Sequence, residues 1–427
     1  MDTRPPSCAP RVAILGAGPI GIEAALEGAR RGYDVALYDS RRVAEHWRRF
    51  AGVTIFTPFH MNSTERGRAR LRESGVDLPG DEAILPAGEI VTRYLEPVVR
   101  LPELAGRVRE RSRVALIARE GLTKSDSIMA TGDRSRIGRK FLLRVEPEGE
   151  APRIDRADVV IDATGVYATP RATGPGGLSA PGEEALGQRI DRHIVSLEGE
   201  ARARYAGKRV LLVGDGHSAA TALVELAALA TSGEPAYVTW VRRRGAGPDA
   251  DPFAILVNDP LPERASLVAR ANRIAREARW LTTFAGAEIE TYAVKGGAVL
   301  VTIREVNGGT KQVEADQVLA LVGYRPDASI HRELQIHLCY ASEAPMALAT
   351  AMLNASRATT GAESDCLKQT THGAETLRTP EPGFFLIGAK SYGRNTNFLL
   401  SVGHRQIEEI YGLIGADLAA PAALAAP

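Results

Sequence analysis

Only three cysteines occur in the 427 residues, Cys8, Cys339 and Cys366, and no two lie close in sequence. The C-x-x-C or C-x₄-C pair that brings two sulfurs together for dithiol exchange is therefore missing. Cys339 and Cys366 could still meet in space, since sequence separation does not forbid it. No cysteine–histidine cluster has ligand spacing, so no metal is expected. Also lacking is any run of roughly 18 uninterrupted apolar residues, which argues against a helix crossing a membrane. The N-terminus has no charged-then-apolar signal layout, because its first apolar run is needed as a strand, and a cytoplasmic location is expected. Charge of one sign is missing too: 53 basic against 52 acidic residues leave a net +1, and no global field to draw in nucleic acid or an anionic membrane. With 44% hydrophobic and 25% charged residues the chain reads as globular protein, long enough for two or three domains. Its first ten residues and the Ala/Pro-rich stretch after Gly415 read as extensions.

Against this plain background two glycine-rich turns stand out, Gly16-Ala17-Gly18-Pro19-Ile20-Gly21 and Gly214-Asp215-Gly216-His217-Ser218-Ala219. The first follows Arg11-Val12-Ala13-Ile14-Leu15, the second Lys208-Arg209-Val210-Leu211-Leu212-Val213, and both lead into helical sequence. Strand, glycine turn and helix in that order make the dinucleotide fingerprint. The first glycine permits the turn, the second lets a pyrophosphate approach the backbone, and the third position packs helix on strand. The helix N-terminus then holds the phosphate charge. Ser218 counts with Gly214 and Gly216 as a nucleotide-binding residue. Two dinucleotides are expected, and the natural pair is a flavin and a nicotinamide.

Residue types beyond each turn assign the nucleotides. Asp39 closes the apolar strand Val35-Ala36-Leu37-Tyr38 at the spacing where a carboxylate accepts from ribose hydroxyls, which fits FAD. The second unit ends in Arg242-Arg243-Arg244 after Tyr237-Val238-Thr239-Trp240-Val241, and guanidinium pairs bidentately with a 2′-phosphate, favouring NADPH over NADH. The bland alternative is a solvated strand end. Asp158-Val159-Val160-Ile161-Asp162-Ala163-Thr164-Gly165 is an apolar strand whose Gly165 turn can run close to a cofactor. Phe384-Phe385-Leu386-Ile387-Gly388 is another, followed by a helical pattern from Asn397 to Ile414 whose positive end could face the pyrimidine edge of a flavin.

On these motifs the chain resembles the two-dinucleotide-domain flavoproteins, the broad group of thioredoxin reductases, flavin-containing monooxygenases and N-hydroxylating monooxygenases. The resemblance covers nearly the whole chain. It implies an α/β fold of two nested Rossmann-like three-layer domains, with the NADPH domain at 201–325 inserted in a discontinuous FAD domain at 1–200 and 326–427. Gly323-Tyr324-Arg325-Pro326 is similar to the group's crossing back, and Tyr205-Ala206-Gly207-Lys208-Arg209-Val210 to the linker that opens the NADPH domain of the flavin-containing monooxygenases. The tail Gly388-Ala389-Lys390-Ser391-Tyr392-Gly393-Arg394 through Asn397-Phe398-Leu399-Leu400 resembles a bacterial subset of FAD/NAD(P)-binding oxidoreductases, some encoded beside arsenic-resistance genes. The F-x-G-x₃-H signature of the flavin-containing branch is not intact: His193 stands in the right region without its Phe and Gly.

The group implies that flavin reduced by NADPH hands its electrons on. Without a local cysteine pair, oxygen is the favoured acceptor: a C4a-hydroperoxyflavin would oxygenate a small N-, S- or As-centred nucleophile. Two alternatives stay open, an NADPH-dependent reductase without oxygen transfer and a non-catalytic redox sensor. In Phe56-Thr57-Pro58-Phe59-His60-Met61-Asn62-Ser63, Asn62 is the candidate for bonding near flavin N5, against the bland reading of an Asn-Ser turn. Trp47 is placed against the cofactor or in plain packing. A thiolate at Cys366, activated by Lys368 or His372, could bind a soft metalloid or form an adduct with substrate, although a lone cysteine is more often a buried hydrophobe. The expected partners are a small-molecule substrate and molecular oxygen, with a homodimer as the common assembly.

Overall fold

Residues 9–126, 136–194, 196–197, 199–245, 250–358, 367 and 369–419 are described in a computed structural model. In the strand Arg11–Leu15 the residues from Val12 onward are all buried, with no polar alternation. A parallel strand covered on both faces requires that pattern. It lies in a five-stranded parallel sheet ordered Phe384–Leu386, Val159–Asp162, Arg11–Leu15, Asp34–Tyr38, Val108–Arg109. Val12, Ile14, Val35, Leu37 and Ile161 face the helices Pro19–Arg30 and Leu400–Ala419. Ala13, Leu15, Ala36, Val160 and Phe384 face the antiparallel meander Ser112–Arg119, Phe141–Pro147, Arg153–Ala157.

The same plan recurs. A second parallel sheet runs Leu281–Ala285, Tyr237–Arg242, Arg209–Val213, Gln317–Ala320, Ile190–Asp191. Helices His217–Thr231 and Pro262–Glu277 cover one face, and the meander Ala287–Lys295, Ala298–Glu305, Thr310–Ala315 the other. This unit is inserted in sequence between two adjacent strands of the first sheet, Val159–Asp162 and Phe384–Leu386. The fold is thus the nested α/β arrangement. Its strand Ile190–Asp191 reaches the second sheet ahead of residue 201. Among the described residues no helix is long and apolar enough to cross a membrane.

Two boundaries differ from the sequence pattern. The last helix begins at Leu400, not Asn397, because the Asn395 side chain accepts the Asn397 amide at 2.9 Å and holds that stretch in a turn. At its other end the helix continues past Gly415 to Ala419, where an extension was expected.

The first and last helices meet where Gly28 has no side chain. An ideal Cβ there would lie 2.2 Å from the Tyr411 hydroxyl, which donates to Ala24 O at 2.7 Å. Alanine is the better helix former by ~1 kcal/mol, yet overpacking of this kind costs about 1–3 kcal/mol. Gly28→Ala is therefore expected to lower the denaturant midpoint at unchanged slope, and adding Tyr411→Phe to recover part of the loss.

Candidate functional site

Three backbones converge at the first glycine turn. An ideal Cβ on Gly16, at φ +94°, would lie 2.7 Å from Ala163 O, and one on Gly21 would lie 1.8 Å from Gly16 O. Neither position admits a side chain. Gly18 differs, with nothing within 4 Å of its Cβ direction. It is the N-cap of Pro19–Arg30 and makes no side-chain cap bond, so the first amides of the helix face open space. Open room and unfilled amides fit a pyrophosphate. Asp39 lies beside this turn: its carboxylate accepts from the Ala17 amide at 2.7 Å and the Arg41 amide at 2.8 Å. Burial raises its pKa above the usual range despite those two bonds. The residue thus stitches the turn to the end of the neighbouring strand.

Other predicted residues gather around this loop. Ala44 N donates to Ala17 O at 2.8 Å and docks the short helix Glu45–Arg49, whose Trp47 is 9% exposed and packs its ring 5.8 Å from that of Phe50. Gly165 and Gly388 both adopt positive φ, +67° and +70°, and the Gly388 amide donates to Gln406 of the last helix at 2.8 Å. Asn397 is exposed, on the stretch that precedes that helix.

At the second turn, a Cβ on Gly214 would lie 2.3 Å from Leu321 O, while Gly216 is open and caps His217–Thr231. The third position is Ala219, fully buried, so here a methyl group fits where the first turn needs glycine. Ser218 is half-buried in the first helical turn. The three arginines divide. Arg242 is 7% exposed, with its guanidinium 5.5 Å from the Trp240 ring centre on the same strand face. Arg243 and Arg244 are exposed, and Arg244 pairs with Asp215 at 3.7 Å. With Arg242 turned inward, Arg243 and Arg244 are the two of the run that face solvent.

Between the two units lies a cavity of about 1060 Å³, bounded by Phe56, Pro58, Met61, Ser401, His404 and Leu261 among others. Phe56 also meets the His217 ring edge-on at 6.1 Å, linking the segment 56–63 to the second fingerprint helix. Asn62, 2% exposed, is spent on that segment: Nδ2 donates to Thr57 O at 2.8 Å and Pro58 O at 3.1 Å, and Oδ1 accepts from Thr57 Oγ1 at 2.9 Å. It shapes the cavity wall and does not line the cavity. His372 is half-buried at φ +66°, also away from the cavity lining. Cys366 and Lys368 lie outside the described residues, and no group of three His, Cys, Asp or Glu among the described residues is placed to hold a metal ion.

Sequence reasoning missed several residues here. His404 has its Nε2 buried without a hydrogen-bond partner among the described residues, and burial, helped by Arg68, pushes its pKa down to about 3, so it is neutral at physiological pH. Glu23, 3% exposed on the cavity wall, is raised by burial and held by the Tyr94 hydroxyl and by Thr64 Oγ1 at 2.9 Å. His193 pairs with the Tyr324 hydroxyl at 3.0 Å and lies 6.0 Å from His46, whose pKa burial pushes down to about 4. His193 is singled out by the broken F-x-G-x₃-H signature; the others are isolated residues in sequence, and no spacing rule marks them.

The glycine geometry separates two kinds of variant. Gly21→Ala should destabilise the fold. Gly18→Val should leave it intact while abolishing retention of FAD, read from the flavin absorbance of the purified protein; a folded, fully yellow Gly18→Val would refute the assignment. Arg243→Ala with Arg244→Ala should raise the Michaelis constant for NADPH by about tenfold or more, and hardly that for NADH. Arg242→Ala should instead lower stability.

No family model matches the chain, and no curated protein matches it in sequence. Solved structures do. The bacillithiol disulfide reductase Bdr from Bacillus cereus is similar at a TM-score of 0.66 and 18% identity, over 96% of this chain and 99% of that one. The cadaverine monooxygenase DfoA of Erwinia amylovora, solved with FAD, is similar at a TM-score of 0.63 and 12% identity, over 96% and 95%. The ornithine N-hydroxylase KtzI of Kutzneria sp. 744 is similar at a TM-score of 0.58 and 14% identity, over 96% and 100%. With both glycine cradles in place and this likeness spanning nearly its whole length, the chain has the fold of the two-dinucleotide-binding flavoprotein superfamily.

Proposed function

We propose that this chain is an FAD-dependent, NADPH-using oxidoreductase, and within that class a monooxygenase acting on a small N-, S- or As-centred nucleophile. FAD occupies the first glycine cradle, in the unit formed by 1–200 and 326–427, and NADPH the second, in the unit at 201–325. FAD held in the first cradle would supply the redox chemistry, with NADPH as the hydride source. The protein binds, orients and excludes water. The glycine loop 16–21 and the N-terminus of Pro19–Arg30 carry the FAD pyrophosphate, and Gly214 with Gly216 carry that of NADPH. Arg243 and Arg244 meet the 2′-phosphate.

The observation that carries the monooxygenase reading is the cavity of about 1060 Å³ walled by residues of both nucleotide units. Its size suits a small molecule. Phe56, Pro58, Met61 and Leu261 line it beside the charged Glu23, Arg30, Arg68 and Glu263, and oxygen transfer would need this space closed to water with substrate bound. His404, held neutral by its burial, can exchange a hydrogen bond with a substrate without adding charge. A second reading, a reductase without oxygen transfer, draws on Cys339. This thiol is half-exposed, and bonding from Ser342 holds it below the usual range. Its loop docks on the tail of the first unit, where the Arg394 amide donates to Ser342 O at 2.8 Å. A redox sensor is the third possibility, and tight, stoichiometric FAD together with turnover would exclude it.

Stopped-flow absorbance of protein reduced anaerobically with NADPH and then mixed with oxygen tests the choice. A transient distinct from both reduced and oxidised flavin, lasting until a nucleophile is added, is the expected result. Direct reoxidation, combined with loss of turnover in Cys339→Ser, would favour the reductase.

A further inference from the structure

Two turns beside the first glycine loop are joined by one buried ion pair. The strand Val159–Asp162 ends in Asp162, 0% exposed, and the turn Gly388–Tyr392 carries Lys390, 2% exposed. The Lys390 ammonium donates to Asp162 Oδ2 at 2.6 Å and to Thr164 Oγ1 at 2.9 Å. In turn the Thr164 hydroxyl and amide donate to Asp162 Oδ1 at 2.7 and 3.1 Å, closing a ring of three residues. His331 faces the same pair, and its own burial pushes it down to about 4, so it adds no charge near neutrality.

The strands themselves do not need this pair. Phe384 to Leu386 already ladder with Val160 to Asp162 in parallel register. Moving two charges out of water is expensive, and a buried pair is often no more stabilising than apolar residues of the same volume. What the pair does fix is the spacing between two turns. Thr164 Cα would lie 2.7 Å from a Cβ on Gly16, so the Ala-Thr-Gly turn is a wall of the glycine loop. On the other side Gln406 accepts the Gly388 amide and donates to Ser391 Oγ at 3.0 Å, so the turn that holds Lys390 also grips the last helix. Glycine loop, Ala-Thr-Gly turn and last helix are thereby set relative to one another through Lys390.

We propose that Lys390 and Asp162 form a positioning element for FAD, holding the Ala-Thr-Gly turn and the Gly388–Tyr392 turn at the separation that presents the glycine loop as a preformed cradle. The role rests on reading the first site as the FAD site. A cradle built in advance binds more tightly because less ordering is left for the binding step.

The test titrates the full-length chain, stripped of flavin, with FAD, following the loss of free-flavin fluorescence, with thermal unfolding of each apoprotein alongside. Lys390→Met alone leaves Asp162 buried and unpaired and should lower the unfolding temperature. Lys390→Met with Asp162→Asn removes both charges, and should regain wild-type apoprotein stability while binding FAD about tenfold or more weakly. Thr164→Val keeps both charges and the amide bond to Asp162 but removes the hydroxyl that joins Lys390 to the Ala-Thr-Gly turn; it should weaken FAD in the same direction, and it decides the matter if the double variant does not fold. Wild-type FAD affinity in the folded double variant, or in Thr164→Val, would overturn the role while leaving the FAD assignment standing. A wild-type chain that takes up no FAD would overturn both.

Discussion

The structure depends on the contact of bare backbone with bare backbone at positions 16 and 214. At Gly16 the neighbouring Ala163 and Thr164 leave no space for a side chain, and at Gly214 the Leu321 carbonyl fills the same place. Each contact draws two parallel strand ends together beneath a helix N-terminus. From that follows the open space at Gly18 and Gly216, each at a helix N-terminus, where a phosphate could come close. The sheets, helices and meanders behind them serve to hold those contacts in register.

The two units do not meet only through their connecting chain. Phe56, from the first, reaches the His217 ring at the start of the second fingerprint helix. At the crossing, His46, Tyr167, His193 and Tyr324 stack from four separate segments, with Tyr167 and Tyr324 4.7 Å apart and edge-on. Burial keeps both imidazoles below their ordinary pKa, so the junction carries rings and hydrogen bonds without adding charge. The nearby Arg41 and Arg49 push both imidazoles further in the same direction.

Chemistry in this chain is arranged around exclusion and placement. Asn62, a natural candidate for touching a cofactor, spends its amide on the loop that walls the cavity. For Asn62 the reason is that a buried polar group left without a partner costs more than one exposed contact returns. Arg242 differs: it lies over Trp240 with its Nε buried and without a hydrogen-bond partner among the described residues, while Arg243 and Arg244 are exposed. The residues that remain free to act, His404 beside the cavity and Cys339 on the docked loop, are ones whose environment shifts their titration.

Both glycine turns and their flanking strands were legible in sequence, because each depends on a local pattern: aliphatic run, glycine spacing, helix. The nesting of one unit in the other was expected only through the resemblance to the flavoprotein group. The acid at Asp39 and the arginine run were legible for the same reason, by their distance along the chain from the turns. The start of the last helix at Leu400 was not, since it turns on a single Asn395 side-chain bond. Nor was the division among the three arginines, which follows from which strand face Trp240 occupies. Lys390 and Asp162 stand 228 positions apart, and Glu23 and Tyr94 71 apart. No periodicity connects such residues; they become neighbours only when packing brings distant segments together, a strand end and a turn for Asp162 and Lys390, two helical segments for Glu23 and Tyr94. What the sequence determined by itself was the place of two glycine turns, each between a strand and a helix. Tertiary structure alone decided what surrounds them, because side-chain contacts between distant segments are set by packing and not by order along the chain.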